Sequence, residues 1–441
     1  MKKYFIHFLC AAIPLLFAAG CGSKDIPDPE PEPDNTQDTT KVDPVVPPEE
    51  VIPTGNEKDM SMWISATINW HRLRNIANIR SFLDKIQGSG LNMVILEVKM
   101  MQGGTCYPSK ILPQLITYNK TDHNFDYLQV FIDECRSRNM KIGAALTVLP
   151  TWDIGEDYKY KDSTFEDKYC QQLTKNGLQD IREDSSKFGF LNPVFPEVRS
   201  MVMDLCEEVV TNYDIDALVL DYCRWQDYYS DYSEASHKAF EEYLGESVED
   251  FPSCVLSIDG SGEHYGPYWN QYLEFRSWVI KDYVREIRSR VKSIKPDVSL
   301  EYWAGSWANF STGQNWASPS KNYWSSYWWA SPDFYKTGFA DQLDVFQNGA
   351  YVEKVLPENS SPYINFLSTG TYRLNGECKQ YASFSDAGAN YDVENFVYYG
   401  LKMTDGLMVF ELCHTIGNAY WDEITQGIKR AKIDGYAFLP E

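Results

Sequence analysis

In Asp216-Ala-Leu-Val-Leu-Asp221-Tyr-Cys-Arg224 a short apolar run ends abruptly in a carboxylate, with a guanidinium close behind it. Ala217 to Leu220 suit a strand buried on both faces. At the carboxyl end of a barrel strand, Asp221 would open onto the face where such barrels keep their chemistry. The bland alternative is a loop-capping Asp paired with Arg224. Other acids and amides sit in comparable places: Glu97 ends a second apolar run, Asn192 follows a third, Glu301 lies within a fifth, and Glu411 ends an eighth. Acids that converge from separate strands meet the requirement of two-carboxylate glycoside cleavage. One group protonates the leaving oxygen while the other attacks the anomeric carbon or activates water.

Each of these positions also has a structural reading. Glu97 and Lys99 would form an ion pair, and Glu301 would face outward toward a helix. His414, close behind Glu411, is placed to donate to a sugar hydroxyl or to the carboxylate, although a lone His more often satisfies a structural need. No HExxH or similar spacing occurs among the 6 His, so no metal and no cofactor are expected, with calcium left open. Arg224, Asn192 and His414 are the candidates for holding hydroxyls or tuning the acids. Lys99, Tyr222, Trp225, Trp303, Trp307 and Trp316 complete the substrate-contacting set.

The elements that must position these groups alternate strand with helix, as a parallel sheet requires. Strands are expected at Met62 to Ile68, Met93 to Lys99, Lys141 to Val148, Asp216 to Asp221, Val298 to Trp303, Leu343 to Gln347, Tyr363 to Leu367 and Gly406 to Glu411. Helices are expected at Ile76 to Gln87, Phe125 to Arg138, Glu197 to Tyr213, Ser236 to Leu244, Trp269 to Ile294, Val393 to Lys402 and Tyr420 to Lys432. The pattern predicts a (β/α)8 barrel over 60–441, with long aromatic loops at its carboxyl-end face. No GxGxxG or Walker motif supports a nucleotide fold, and no GxSxG elbow supports an esterase.

A formal net charge of -23 makes nucleic acid and anionic membrane surfaces poor partners. With 30 Tyr and 13 Trp the chain has more rings than a barrel core needs, and rings near polar groups in exposed loops suit sugars. Residues 1–20 have a secretory layout, with Lys2, Lys3 and an apolar run from Phe5 to Ala19. Ala18-Ala19-Gly20-Cys21 resembles a lipobox, which would leave Cys21 acylated. The stretch 21–59, rich in Pro, Asp, Glu and Thr, would be an extended tether. Contact with membrane is therefore expected only through that lipid, with an outer-membrane, periplasmic-face or cell-surface location and other glycan-uptake proteins as neighbours. The cysteines show no CxxC, and buried free thiols are expected.

Beyond these separate signals, the stretch from about Ser61 to Ile433 resembles the glycosyl-hydrolase-like 10 family, barrel proteins described as alpha-amylase-family lipoproteins of gut bacteria. The resemblance rests on Leu91 to Lys99 with Tyr107-Pro108-Ser109-Lys110, Leu191-Asn192-Pro193 with Pro196 to Arg199, and Tyr213 to Asp221 with Cys223-Arg224. It rests further on Asn315 to Pro319 and on Asp405-Gly406 through His414. It implies a (β/α)8 barrel acting on glycans, with Asp221 where amylase-type barrels hold the nucleophile and Glu301 on the strand that carries their acid. Tyr222 stands where many relatives would hold a basic residue, which raises Glu97 and Glu411 as partners for Asp221. The leading expectation is a lipid-anchored glycoside hydrolase; a non-catalytic glycan-capture protein on the same barrel is the alternative.

Overall fold

The computed structural model describes residues 57–118, 120–152, 165–307 and 311–436. The expected signal sequence, Cys21 and nearly all of the tether lie outside the described residues. Eight parallel strands close into a barrel: β1 (Asp59–Ile64), β2 (Met93–Lys99), β3 (Lys141–Thr147), β4 (Ala217–Asp221), β5 (Ser299–Gly305), β6 (Val345–Gly349), β7 (Lys379–Ser385) and β8 (Gly406–Phe410). Each strand pairs with its sequence neighbours, and β8 closes on β1 with Asp59 opposite Gly406.

Helices lie along the chain as α1 (Ala66–Asn69), α2 (Ile76–Gly88), α3 (Tyr127–Arg136), α4 (Pro196–Asn212), α5 (Glu234–Leu244), α6 (Trp269–Ile294), α7 (Pro362–Leu374), α8 (Val393–Met403), α9 (Leu412–Asn418) and α10 (Trp421–Ile433). Their starts carry local causes. Asn75 accepts from the Asn78 amide, Asp126 from the Gln129 amide, and Pro196 needs no donor in the first turn of α4. One apolar core lies between the barrel and its helices, with Leu83, Phe131, Val209, Ile287 and Phe396 fully or almost fully buried.

Inside the barrel, Trp63, Met93, Ile95, Ala145, Ala217, Val219 and Met408 cluster with Trp303 and Phe410 above them. This cluster fixes parity. Because alternate strand residues share a face, Glu97 continues the inward row of Met93 and Ile95, and Asp221 that of Ala217 and Val219. A second cluster packs α5 and the start of α6 against the β5–β6 loop through Phe240, Tyr272, Trp324, Trp329 and Phe334.

Two expectations about the strands are corrected. Tyr363 to Leu367 belong to α7, whose start is set by Ser361, accepting from the Ile364 amide, and by Pro362. The seventh strand is Lys379–Ser385. Its inward residues are Tyr381, Ser383 and Ser385, so it lacks the apolar run expected of a strand. The first strand ends at Ile64 rather than Ile68, because Ala66 onward turns into α1. All eight described cysteines are free, and Cys206, Cys223 and Cys413 are buried.

Candidate active site

Glu97 and Asp221 enter the barrel mouth from strands on either side of β3. Asp221 is opposite Thr147 in the ladder, and the Thr147 hydroxyl donates to Glu97 Oε1 at 3.2 Å. Glu97 Oε2 accepts the amide of Ala66, the first residue of α1, at 2.9 Å. Burial pushes the Glu97 carboxyl up to about 8, opposed by that amide and reinforced by the charges of Asp221 and Glu411.

Asp221 keeps part of its surface open, and its Oδ1 accepts the amide of Tyr222 at 2.8 Å. Tyr222 takes a positive φ of 50°, so the chain turns sharply as it leaves the strand. Protein packed around Asp221 raises it to about 7, against the pull of Arg224 and the Tyr222 amide. The Arg224 guanidinium lies 4.6 Å over the Tyr222 ring and donates at 2.9 Å to the carbonyls of Trp225 and Gln226. Burial and the neighbouring Asp221 together push the Tyr222 hydroxyl up to about 12.

Glu411 is fully buried at the start of α9. It accepts the amide of Cys413 at 2.7 Å, and the Ser65 amide and Asn69 Nδ2 at 3.1 Å each. Those contacts give it a capping role and electrostatic contact with Glu97. Asp386, just past β7, receives the Glu411 amide at 3.0 Å and lies 3.6 Å from His414 Nδ1. Burial lowers His414, yet Asp386 and Glu411 more than reverse this and hold it above its ordinary value. Glu411, Cys413 and His414 each offer a ligand atom, all within 4.8 Å of one another. Such donors suit a borderline-soft cation, but the Glu411 oxygens are already committed to three hydrogen bonds.

Glu301 faces inward but lies a layer deeper. It is opposite Val219 and Val345, and Trp303 lies two residues nearer the mouth on the same face. Its Oε2 accepts Gln347 Nε2 at 2.5 Å, and the other acids that bear on it are Asp59 and Asp344, at the amino-terminal end of the barrel. Burial raises it to about 7. The acids that most influence Glu301 are thus Asp59 and Asp344 rather than Asp221.

The expected substrate contacts divide into two groups. Trp303 lines the mouth: its Nε1 donates to Ser383 at 3.1 Å, and its ring lies so close to Gly349 that a Cβ there would meet it at 2.8 Å. Trp307 is 48% exposed and lies over Gly305 in the same way, at 2.9 Å. Trp225 and Trp316 are core residues instead. Trp225 donates to the Arg276 carbonyl and Trp316 stacks on Phe346 with centroids 4.5 Å apart, because their loops fold back over the helices. Asn192 is also sealed, holding Asp231 at 2.8 Å and Ser236 at 3.1 Å. Lys99 is fully buried, with its amine on the carbonyls of Thr147 and Pro150, so it braces the end of β3 rather than reaching substrate or pairing with Glu97. Burial lowers it to about 7, against the pull of Glu97.

Residues 60–353 match the glycosyl hydrolase-like 10 family, a stretch that takes in more than half of the 441 residues. The chain belongs to that family. An S-layer-related protein of Niallia circulans is 25% identical over 80% of this chain and 23% of its own length. Glycosyl hydrolase DigH of Escherichia coli K12 is 28% identical over 52% of this chain and 47% of its own. Glycosyl hydrolase YngK of Bacillus subtilis is 24% identical over 60% and 49%. The chain thus spans about a quarter of the first relative and about half of the others. Among solved structures, the PgaB glycoside hydrolase domain from Bordetella bronchiseptica overlays with a TM-score of 0.57 at 13% identity, covering 84% of this chain and 98% of that one. The catalytic domain of a Paenibacillus polymyxa beta-amylase gives 0.52 at 11%, covering 86% and 97%. At such identity these overlays show the fold, a glycoside-hydrolase-like (β/α)8 barrel.

Within this family barrel, sequence reasoning passed over three residues at the mouth. Thr147 carries no charge to flag it. Asp386 follows the strand whose place was misjudged, so its position at a strand end was hidden. Tyr351, just past β6, packs 5.5 Å from Trp303 and 5.7 Å from Phe410, and Asp221 and Tyr222 add to the burial that raises its hydroxyl.

Proposed function

We propose that this family member hydrolyses glycosidic bonds of a poly- or oligosaccharide, with Glu97 as the proton donor and Asp221 as the nucleophile or base. The observation that carries the reading is the pair itself: two carboxylates at one mouth, either side of Thr147, with the more buried one held protonated to about 8. A donor protonated at neutral pH and a more open carboxylate able to ionise are the two roles that glycoside cleavage divides between its acids. Arg224 favours the ionised form of Asp221, and Trp303 and Trp307 offer ring faces to the sugar. The name glycosyl hydrolase borne by the relatives DigH and YngK supports the same reaction class.

The test is incubation of the full chain with a set of oligosaccharides, separating the products. Cleavage by the wild type that is lost in Asp221→Asn supports the reading. A binding-only barrel is the second reading, favoured by the hydrogen bonds that already engage both oxygens of Glu97 and Glu411. Sugar bound but recovered intact at every pH would establish it. We further propose that Cys21 is acylated and tethers the barrel to the outer membrane, on the strength of Ala18-Ala19-Gly20-Cys21. Palmitate labelling that persists in Cys21→Ser would refute this.

A further inference from the structure

Trp328 is 65% exposed, and Tyr265 beside it is 46% exposed. Leaving an indole in water is unfavourable, and a cluster of exposed rings marks a contact surface more often than chance. This cluster is held in shape. The Tyr265 hydroxyl donates to Glu263 Oε2 at 2.6 Å, and its ring packs 4.6 Å from Trp269 and 5.2 Å from Trp328. Asn270 Nδ2 donates to the Trp328 carbonyl at 3.1 Å. Next to it, Asn270 and Gln271 on α6 and Asp333 line a hollow of about 490 Å³, together with Glu274 and Ser331, whose hydroxyl donates to the Glu274 carboxylate.

Two oriented rings beside a wall of amide, hydroxyl and carboxylate groups form a surface with stacking faces and hydrogen-bond partners together. That is the chemistry of a polyhydroxylated, uncharged ligand. Glu263 and Glu274 disfavour an anionic one. The platform is built from the loops that follow β4 and β5, adjacent strands of the barrel, so it stands on the same end of the barrel as Asp221.

We infer that Trp328, Tyr265 and the hollow beside Asn270 form a second carbohydrate site, which holds a neutral polysaccharide some distance from the bond being cleaved. The inference rests on the proposed action on glycans. A chain long enough to span mouth and platform gains affinity from both, whereas a short oligosaccharide occupies the mouth alone.

Affinity electrophoresis of the full chain through gels containing amylopectin, xyloglucan or arabinogalactan tests it, together with hydrolysis of a short oligosaccharide of whichever sugar retards the protein. Trp328→Ala with Tyr265→Ala is expected to weaken retardation at least fivefold while leaving short-substrate turnover unchanged. Trp278→Ala, a 39% exposed ring further along α6, serves as the control and should change neither. Thermal melts of all variants report folding, and Trp328→Phe, which keeps a ring, should restore most of the retardation. Equal retardation of wild type and double variant overturns the inference, as does a wild type that no gel retards. Retardation lost in the double variant, with no glycan cleaved by the wild type, leaves the second site standing and removes the hydrolase reading.

Discussion

Glu97 and Asp221 are separated by one strand, and the residue of that strand between them, Thr147, is hydrogen-bonded to the first and paired in register with the second. Burial at this shared mouth disfavours ionisation of both acids, and the charge of Asp221 disfavours that of Glu97 further.

That coupling sets a pH dependence. Both carboxyls titrate higher in the fold, at about 8 and about 7, than the roughly 4 of an unfolded chain. The folded state thus keeps their protons longer, so their contribution to stability is fullest below about pH 4 and is lost as pH rises through about 7 to 8. Activity needs Asp221 ionised and Glu97 protonated, which predicts a narrow optimum between the two values. Glu97→Gln should lower turnover by about 100-fold or more. It should also flatten the decline of melting temperature between about pH 4 and pH 8. A broad acidic optimum, or an unchanged melting profile in the variant, would remove Glu97 from the role of acid.

The depth of Glu301 makes a contrasting prediction. In Glu301→Gln the new amide oxygen can still accept from Gln347, and the residue stays a layer below the mouth. Turnover should remain within a small factor of wild type, whereas Asp221→Asn should lose about 100-fold or more. Asp221 is partly open and makes its hydrogen bond with the amide next to it, so its variant should melt close to wild type. Equal losses in the two variants would restore Glu301 to the catalytic pair.

The barrel was legible wherever a strand presents apolar residues on both faces, as β2, β3 and β4 do. The parity of Glu97 and Asp221 was not legible there, since a strand apolar on both faces carries no alternation; the cluster inside the barrel fixes it. Depth was hidden as well. Glu301 has the right parity, yet a sequence carries no register between neighbouring strands, so the layer it occupies was out of reach. The seventh strand failed for a related reason. Lys379–Ser385 is polar on its inward face, while Tyr363 and Leu367, whose segment displaced it, bury one face of a helix announced by Ser361 and Pro362. With that strand misplaced, Asp386 had no visible reason to matter. The rings divided between core and surface because composition counts a Trp without saying whether its loop folds back, as it does at Trp225 and Trp316.

Asn192 should prove structural. It supports Asp231, a fully buried carboxylate that also accepts from the Ser233 hydroxyl and amide and from the Gln171 amide. Asn192→Ala removes one donor from a charge that water cannot reach, at a cost of about 1–3 kcal/mol. The melting temperature should fall while kcat per folded molecule holds. A KM that rises with no loss of stability would return Asn192 to the substrate.

Trp307 and Trp316 offer the sharpest test of which rings meet sugar. Trp307 lies 48% exposed at the rim, with its ring near Tyr351 and Phe366 at 6.5 and 6.2 Å, so truncation leaves little cavity behind. Losing about 1 kcal/mol of stacking in Trp307→Ala should raise KM several-fold at nearly constant kcat and melting temperature. Trp316 is 1% exposed and stacked on Phe346 of β6, so Trp316→Ala opens a core cavity worth about 3–5 kcal/mol and should melt well below wild type or fail to accumulate. If instead the Trp316 variant folded normally with a raised KM, and the Trp307 variant behaved as wild type, the assignment of the two rings would have to be exchanged, and with it the side of the mouth from which sugar enters.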